Sequence, residues 1–207
     1  MLEALAYAYH TQNQDGKAVE VYRRILADSP ENTGARYNLA TLLWRMGEKD
    51  DALRQFQLLL DQTPDDLQAL FQEGKLLLEL GKAQESVSAL ERYLQERPED
   101  VPAYMLLGDG YRLLERYDRA LQAYSNALTH NEKLPEAWFY SALIYLTKIE
   151  DPERGLTALD QALGYGFKDP EKISALFDSP ELLEKEKVRK LLEDRGVLPE
   201  AKAPAPQ

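Results

Sequence analysis

Between Thr33 and Asp66, apolar and small residues fall three and four positions apart in two bursts. Leu39, Ala40 and Leu43 form the first, Gly47 interrupts it, and Ala52, Phe56, Leu59 and Leu60 form the second before Pro64 ends it. That spacing predicts two amphipathic helices joined by a tight turn. The unit recurs, because Pro30, Pro64 and Pro98 are 64 − 30 = 34 and 98 − 64 = 34 residues apart. The same step aligns Ala18, Ala52, Ser86 and Ala120, and also Leu26, Leu60, Leu94 and Leu128, in the second helices. In the first helices it aligns Ala6, Ala40, Gly74, Gly108 and Ala142, each followed three residues later by Tyr9, Leu43, Leu77, Tyr111 or Tyr145. A small residue lets two helices approach, and a large one fills the groove between neighbours.

The pattern predicts helices near 2–12, 16–28, 33–46, 50–62, 67–80, 84–96, 101–114, 118–130, 135–148 and 152–164. Aligning Ala162-Leu163 with Ala127-Leu128 needs one inserted residue, since 163 − 128 = 35. Pro152 suits the first turn of a helix, which places the insertion in the preceding turn. After Phe167 the repeat stops. Asp169-Pro170 opens a short amphipathic segment with Ile173, Leu176 and Phe177, and Ser179-Pro180 opens a longer one, predicted over 180–195 and closed by Gly196. A stack of repeats needs an end whose outer face is polar, and Glu184, Lys185, Glu186, Lys187, Arg189 and Lys190 supply one.

These residues resemble the tetratricopeptide repeat family, as a helical-repeat scaffold of bacterial type. The family sets Trp, Leu, Gly and Tyr in its first helix and Ala, an aromatic, Ala and Pro in its second. Repeat four matches with Leu107, Gly108, Tyr111, Ala120, Tyr124 and Ala127, although Glu132 replaces the proline; repeat five supplies Trp138, Ala142 and Tyr145. The resemblance covers roughly Leu2 to Phe167. It implies an all-α, right-handed α-solenoid of about five helix-turn-helix repeats with a C-terminal capping helix. The expected division is a solenoid over 1–167 (repeats 1–32, 33–66, 67–100, 101–134 and 135–167), capping helices over 168–196 and a disordered tail over 197–207. Leu2 holds the tryptophan-type position, so the first repeat starts late, which implies a longer precursor or a frayed first helix.

Composition narrows the partners. With a net charge of −11 and a pI near 4.8, the chain lacks the basic surface that phosphate backbones or anionic headgroups attract. We therefore expect no nucleic-acid ligand and no direct membrane insertion. Without cysteine there is no disulfide or thiolate site. The amino end lacks the pattern of a signal peptide. This reading places the protein in the cytoplasm if the chain is complete, and in the periplasm or cell envelope if it was cut from an exported precursor.

No motif for catalysis, metal or cofactor binding stands out. His10 and His130 are the only histidines, and neither belongs to a ligand spacing. Gly164-x-Gly166 lacks the strand, lysine and hydroxyl of a phosphate loop. The expectation is a protein that is not an enzyme and takes no cofactor.

The resemblance also implies that positions five, nine and twelve of each repeat line a concave groove. These are Tyr7 and His10 in repeat one; Tyr37, Thr41 and Trp44 in repeat two; Phe71, Lys75 and Leu78 in repeat three; Met105, Asp109 and Arg112 in repeat four; and Phe139, Leu143 and Leu146 in repeat five. Tyr37, Trp44, Phe71 and Met105 are expected to form an apolar strip with Arg45, Lys75 and Arg112 at its edge. Exposed aromatics among basic residues are what the centre of an interface is enriched in. The alternative is that these side chains bury one another or lie under the capping segment. The clamp with which some family members grip acidic chaperone tails is absent: Glu3, Tyr7, Gln68 and Gln72 stand at its positions in one frame, with only Asn38 matching, and Tyr37, Thr41, Gln72, Pro102 and Leu106 in the next. The function implied is a scaffold or adapter that holds a peptide or helical segment of another protein. Self-association as an oligomeric subunit and a pocket for a small apolar ligand are the alternatives.

Overall fold

The computed structural model describes residues 2–197. Among them are twelve helices and no strand: α1 Leu2–Thr11, α2 Asp15–Asp28, α3 Thr33–Arg45, α4 Lys49–Gln62, α5 Leu67–Glu79, α6 Ala83–Glu96, α7 Val101–Leu113, α8 Tyr117–His130, α9 Pro135–Thr147, α10 Pro152–Gly164, α11 Pro170–Phe177 and α12 Lys185–Asp194. Apart from Val197, the tail expected to be disordered lies outside the described residues. The chain divides into two compact units, Met1–Pro98 and Glu99–Gln207.

In the first unit, three helical hairpins stack so that α2 packs on α3 and α4 on α5. The small register positions Ala6, Ala18, Ala40 and Ala52 and the serine at Ser86 are fully buried. At Ser86 the hydroxyl donates to the Gly74 carbonyl at 2.7 Å, tying α6 to α5 where a side chain on Gly74 would not fit. Each first helix after the first starts on a capping side chain: Asn32 accepts from the Ala35 N–H at 2.8 Å and Asp66 from the Ala69 N–H at 2.9 Å. Asp100 repeats the device at the start of α7, accepting from the Ala103 N–H at 2.8 Å.

The first four hairpin turns share one construction. Gly47 has φ +85°, which a glycine reaches without strain. Its N–H donates to the Trp44 carbonyl and the Glu48 N–H to the Leu43 carbonyl, both at 2.9 Å, which closes α3 in a Schellman motif. Asn13, Gly81 and Glu115 take the same left-handed conformation at a step of 34, and Glu150 takes it one residue later. α9 ends 147 − 113 = 34 residues after α7, whereas α10 begins 152 − 117 = 35 after α8, so the inserted residue lies in this turn.

The second unit holds hairpins α7/α8 and α9/α10, with α8 packed on α9 and with α12 packed on both α10 and α11. The segment expected to form one helix over 180–195 does not do so. Ser179 does accept from the Glu181 N–H at 3.3 Å, but the Leu183 N–H donates to the Leu146 carbonyl at 3.0 Å. That bond satisfies a carbonyl near the end of α9 and holds residues 180–184 out of helix. Glu184 then turns through a left-handed conformation and α12 begins at Lys185.

Candidate functional site

In the first unit, the face presented by α1, α3 and α5 carries the expected binding residues. Trp44 is half-buried; its indole N–H donates to Glu79 at 3.0 Å, and Lys75 from α5 lies over its ring at 5.3 Å from the centroid. Glu79 also pairs with Lys49 at 3.0 Å. Burial works against the Glu79 carboxylate, but the Trp44 and Lys49 hydrogen bonds outweigh it and hold its pKa below the ordinary value. Behind this cluster, Phe56 receives both Tyr37 and Trp44 edge-on, with centroids 5.8 and 6.4 Å away. The two rings are thus fixed from below while keeping an exposed edge. Phe71 packs on Tyr93 at 5.3 Å, and Leu78 is half-buried on the same helix.

Tyr7 stands apart at 64% exposure. With His10, Asn38, Thr41 and Arg45 it lines a cleft of about 290 Å³ between α1 and α3. Arg45, expected at the edge of an apolar strip, instead pairs with Asp15 at 2.5 Å and approaches His10 at 3.3 Å. The Arg45 hydrogen bond holds the Asp15 carboxyl below its ordinary pKa. Thr41 uses its hydroxyl on the Tyr37 carbonyl at 3.0 Å.

In the second unit, Asp109 accepts from the Tyr124 hydroxyl at 2.8 Å and lies 3.6 Å from Arg112. Burial, then the Asp109 charge, pushes the Tyr124 phenol far above its ordinary pKa. Arg112 lies over Tyr140 at 5.1 Å, and Lys172 from α11 lies over the same ring at 5.6 Å. Met105 is half-buried on α7. Phe139 is a correction: it is 1% exposed and stacks on Phe167 at 4.0 Å, so it is core. Leu146 is likewise buried. The cause is the C-terminal segment, whose Ile173, Leu176, Val188 and Leu192 cluster with α9 and close over it. Leu143 remains half-buried and lines a cleft of about 400 Å³ with Arg112, Tyr140, Lys148 and Lys172.

Sequence reasoning missed Lys172, because α11 lies outside the repeat and its placement has no period to reveal it, and it missed Tyr140, which lies on α9 at the register position of Asn38. It also missed Arg36, although a signal was present. Arg36 holds the register position of Trp138, since 138 − 36 = 102 = 3 × 34. Arg36 donates to the Pro30 carbonyl and the Trp138 indole to the Glu132 carbonyl, each six residues upstream. A larger cleft than these, about 590 Å³, lies between α8 and α10 over Trp138 and Tyr145. Among the described residues no group of His, Asp and Glu could hold a metal ion, and no helix is long and apolar enough to cross a membrane.

Tetratricopeptide repeat models match residues 5–72, 71–131 and 105–164. The chain belongs to the tetratricopeptide repeat family. Among solved tetratricopeptide structures, it is similar to YrrB, described as a protein of this family with an unusual peptide-binding site, at 17% identity and a TM-score of 0.77, over 84% of this chain and 89% of that one. It is similar also to MamA of Desulfovibrio magneticus RS-1, at 16% identity and a TM-score of 0.74, over 79% and 92% of the two chains. A further MamA crystal structure matches at 18% identity and a TM-score of 0.76, over 82% and 92%. At such identities the likeness shows the repeat fold alone. No curated protein matches the chain.

Proposed function

We propose that this tetratricopeptide repeat protein is an interaction scaffold that holds an apolar peptide or helical segment of another protein against the α1, α3 and α5 face of its first unit. The observation that carries the reading is Trp44. Its ring is fixed by Glu79, Lys75 and Phe56 and still half-exposed. A pre-ordered aromatic loses little conformational entropy on binding, and interfaces draw most of their energy from a few such anchors. Tyr37, Phe71 and Leu78 extend the apolar surface beside it, and Lys75 and Lys49 give its margin a basic character. The peptide-binding description of YrrB supports the general reading. Met105, Asp109, Arg112 and Leu143 belong to the second unit.

The test is calorimetry on a partner captured from the source organism. Trp44→Ala and Phe71→Ala are each expected to weaken binding by about 2 kcal/mol or more with the helical content unchanged. If both variants bind as tightly as the parent, this face is not the site. A dimer in sedimentation that withdraws Trp44 from fluorescence quenchers would assign the face to self-association instead.

A further inference from the structure

The cleft of the second unit is floored by Leu143, Ile144 and Leu176 and rimmed by Arg112, Lys148 and Lys172, with Glu181 its one acidic lining residue. We propose that it binds an acidic peptide segment of a partner protein, seating one apolar side chain on the floor and placing a neighbouring carboxylate among the three cations. This extends the scaffold reading to a second site and rests on that reading, but not on the Trp44 face.

Charge is the first argument. The chain carries a net −11, yet three of the four charged residues lining this cleft are basic, so attraction for an acidic ligand is local. Donor capacity is the second. The Arg112 guanidinium shares the Tyr124 hydroxyl with Asp109 and lies 3.6 Å from that carboxylate, beyond a good hydrogen bond. A guanidinium so loosely paired with its own carboxylate gains from a second one. Pre-organisation is the third. The Tyr140 ring holds Arg112 and Lys172 in place, so the ligand need not order them. The competing carboxylates are weak rivals: Lys148–Glu181 and Lys172–Asp169 are partly exposed pairs, which contribute little and exchange readily. Glu181 already shows an acidic side chain seated on Lys148 at the rim. At about 400 Å³ the cleft has the size of a small-ligand pocket.

The experiment is a methyl-NMR titration of the full chain with a blocked hexapeptide of alternating glutamate and leucine, and with its glutamine counterpart. The expected result is saturable shifts at the Leu143, Ile144 and Leu176 methyls with the glutamate peptide and binding at least about tenfold weaker with the glutamine one. Lys148→Ala and Lys172→Ala, both at exposed positions, should each weaken binding about threefold or more, and Glu181→Gln should tighten it. No shift at millimolar peptide, equal binding of the glutamine peptide, indifference to both lysine variants, or shifts confined to the first unit would overturn the proposal. Trp44→Ala should leave this titration unchanged, so failure here and failure of the first-unit reading are scored separately.

Discussion

At Gly108 two effects oppose each other. Alanine is the better helix former by about 1 kcal/mol, so propensity alone favours Gly108→Ala. Yet a Cβ built there would sit 2.4 Å from Cε1 of Tyr124, a fully buried ring held at its other end by Asp109. The ring cannot retreat, and overpacking of this kind costs about 1 to 3 kcal/mol. Gly108→Ala should therefore lower stability in urea melts, and a gain would show that Tyr124 has room to move. Glu73 presents a conflict of a different kind. It occupies the register position of Leu39 and Leu107, and burial pushes its carboxyl above the ordinary pKa. The native state then binds a proton more tightly than the unfolded chain, so stability falls as pH rises from the ordinary carboxylate value through the raised one. Glu73→Gln should flatten that fall and make the protein more stable at pH 7, as melts between pH 4 and 7 would show; an unchanged pH profile would mean that Glu73 is solvated.

Among the elements, the turns and the inter-repeat packing carry separate energies. Glu115 takes φ 56° where Gly47 and Gly81 solve the same problem with glycine. A left-handed conformation costs a non-glycine residue about 1 to 2 kcal/mol, and glycine returns part of this as backbone entropy on folding. Glu115→Gly is expected to stabilise by about 0.5 to 1 kcal/mol in denaturant melts, and a loss would mean that the glutamate side chain contributes more than its backbone costs. Leu60 is 8% exposed at the end of α4, in the core between repeats. Leu60→Ala should cost about 2 to 5 kcal/mol through the cavity left behind, and a loss under about 1 kcal/mol would place it outside the core. At α12 one donor is spent on a tertiary bond: the Leu183 N–H goes to the Leu146 carbonyl instead of to the Ser179 carbonyl that a helix begun at Pro180 would offer it, and α12 starts at Lys185.

On the scale of the whole molecule, the two proposed sites differ in what ionic strength should do to them. The Trp44 face is apolar at its centre, so its affinity should change little with salt. The Arg112, Lys148 and Lys172 cleft depends on charge and should weaken steeply as salt rises from 50 to 500 mM, because exposed charges are screened within about 10 Å at 0.1 M. Titrations of each ligand at several salt concentrations check this, and equal slopes would contradict it. The repeat fold was legible in the sequence because a period of 34 with small and large residues in fixed alternation has few other solutions. Helix starts and ends within the repeats, the inserted residue before Pro152 and the burial of Ala18, Ala52, Ser86 and Ala120 all follow from local chemistry read along the chain. Periodicity says which face a residue occupies but not what covers that face. Phe139 and Leu143 stand at equivalent-looking groove positions, yet one is core and the other lines a cleft, because α11 and α12 close over α9 from outside the repeat. The partners of Trp44 and Arg45, and the Tyr140 ring under Arg112, likewise come from residues distant in sequence. Only the packing of the helices decides those distances, since burial and pairing depend on where elements meet and no local pattern encodes that meeting.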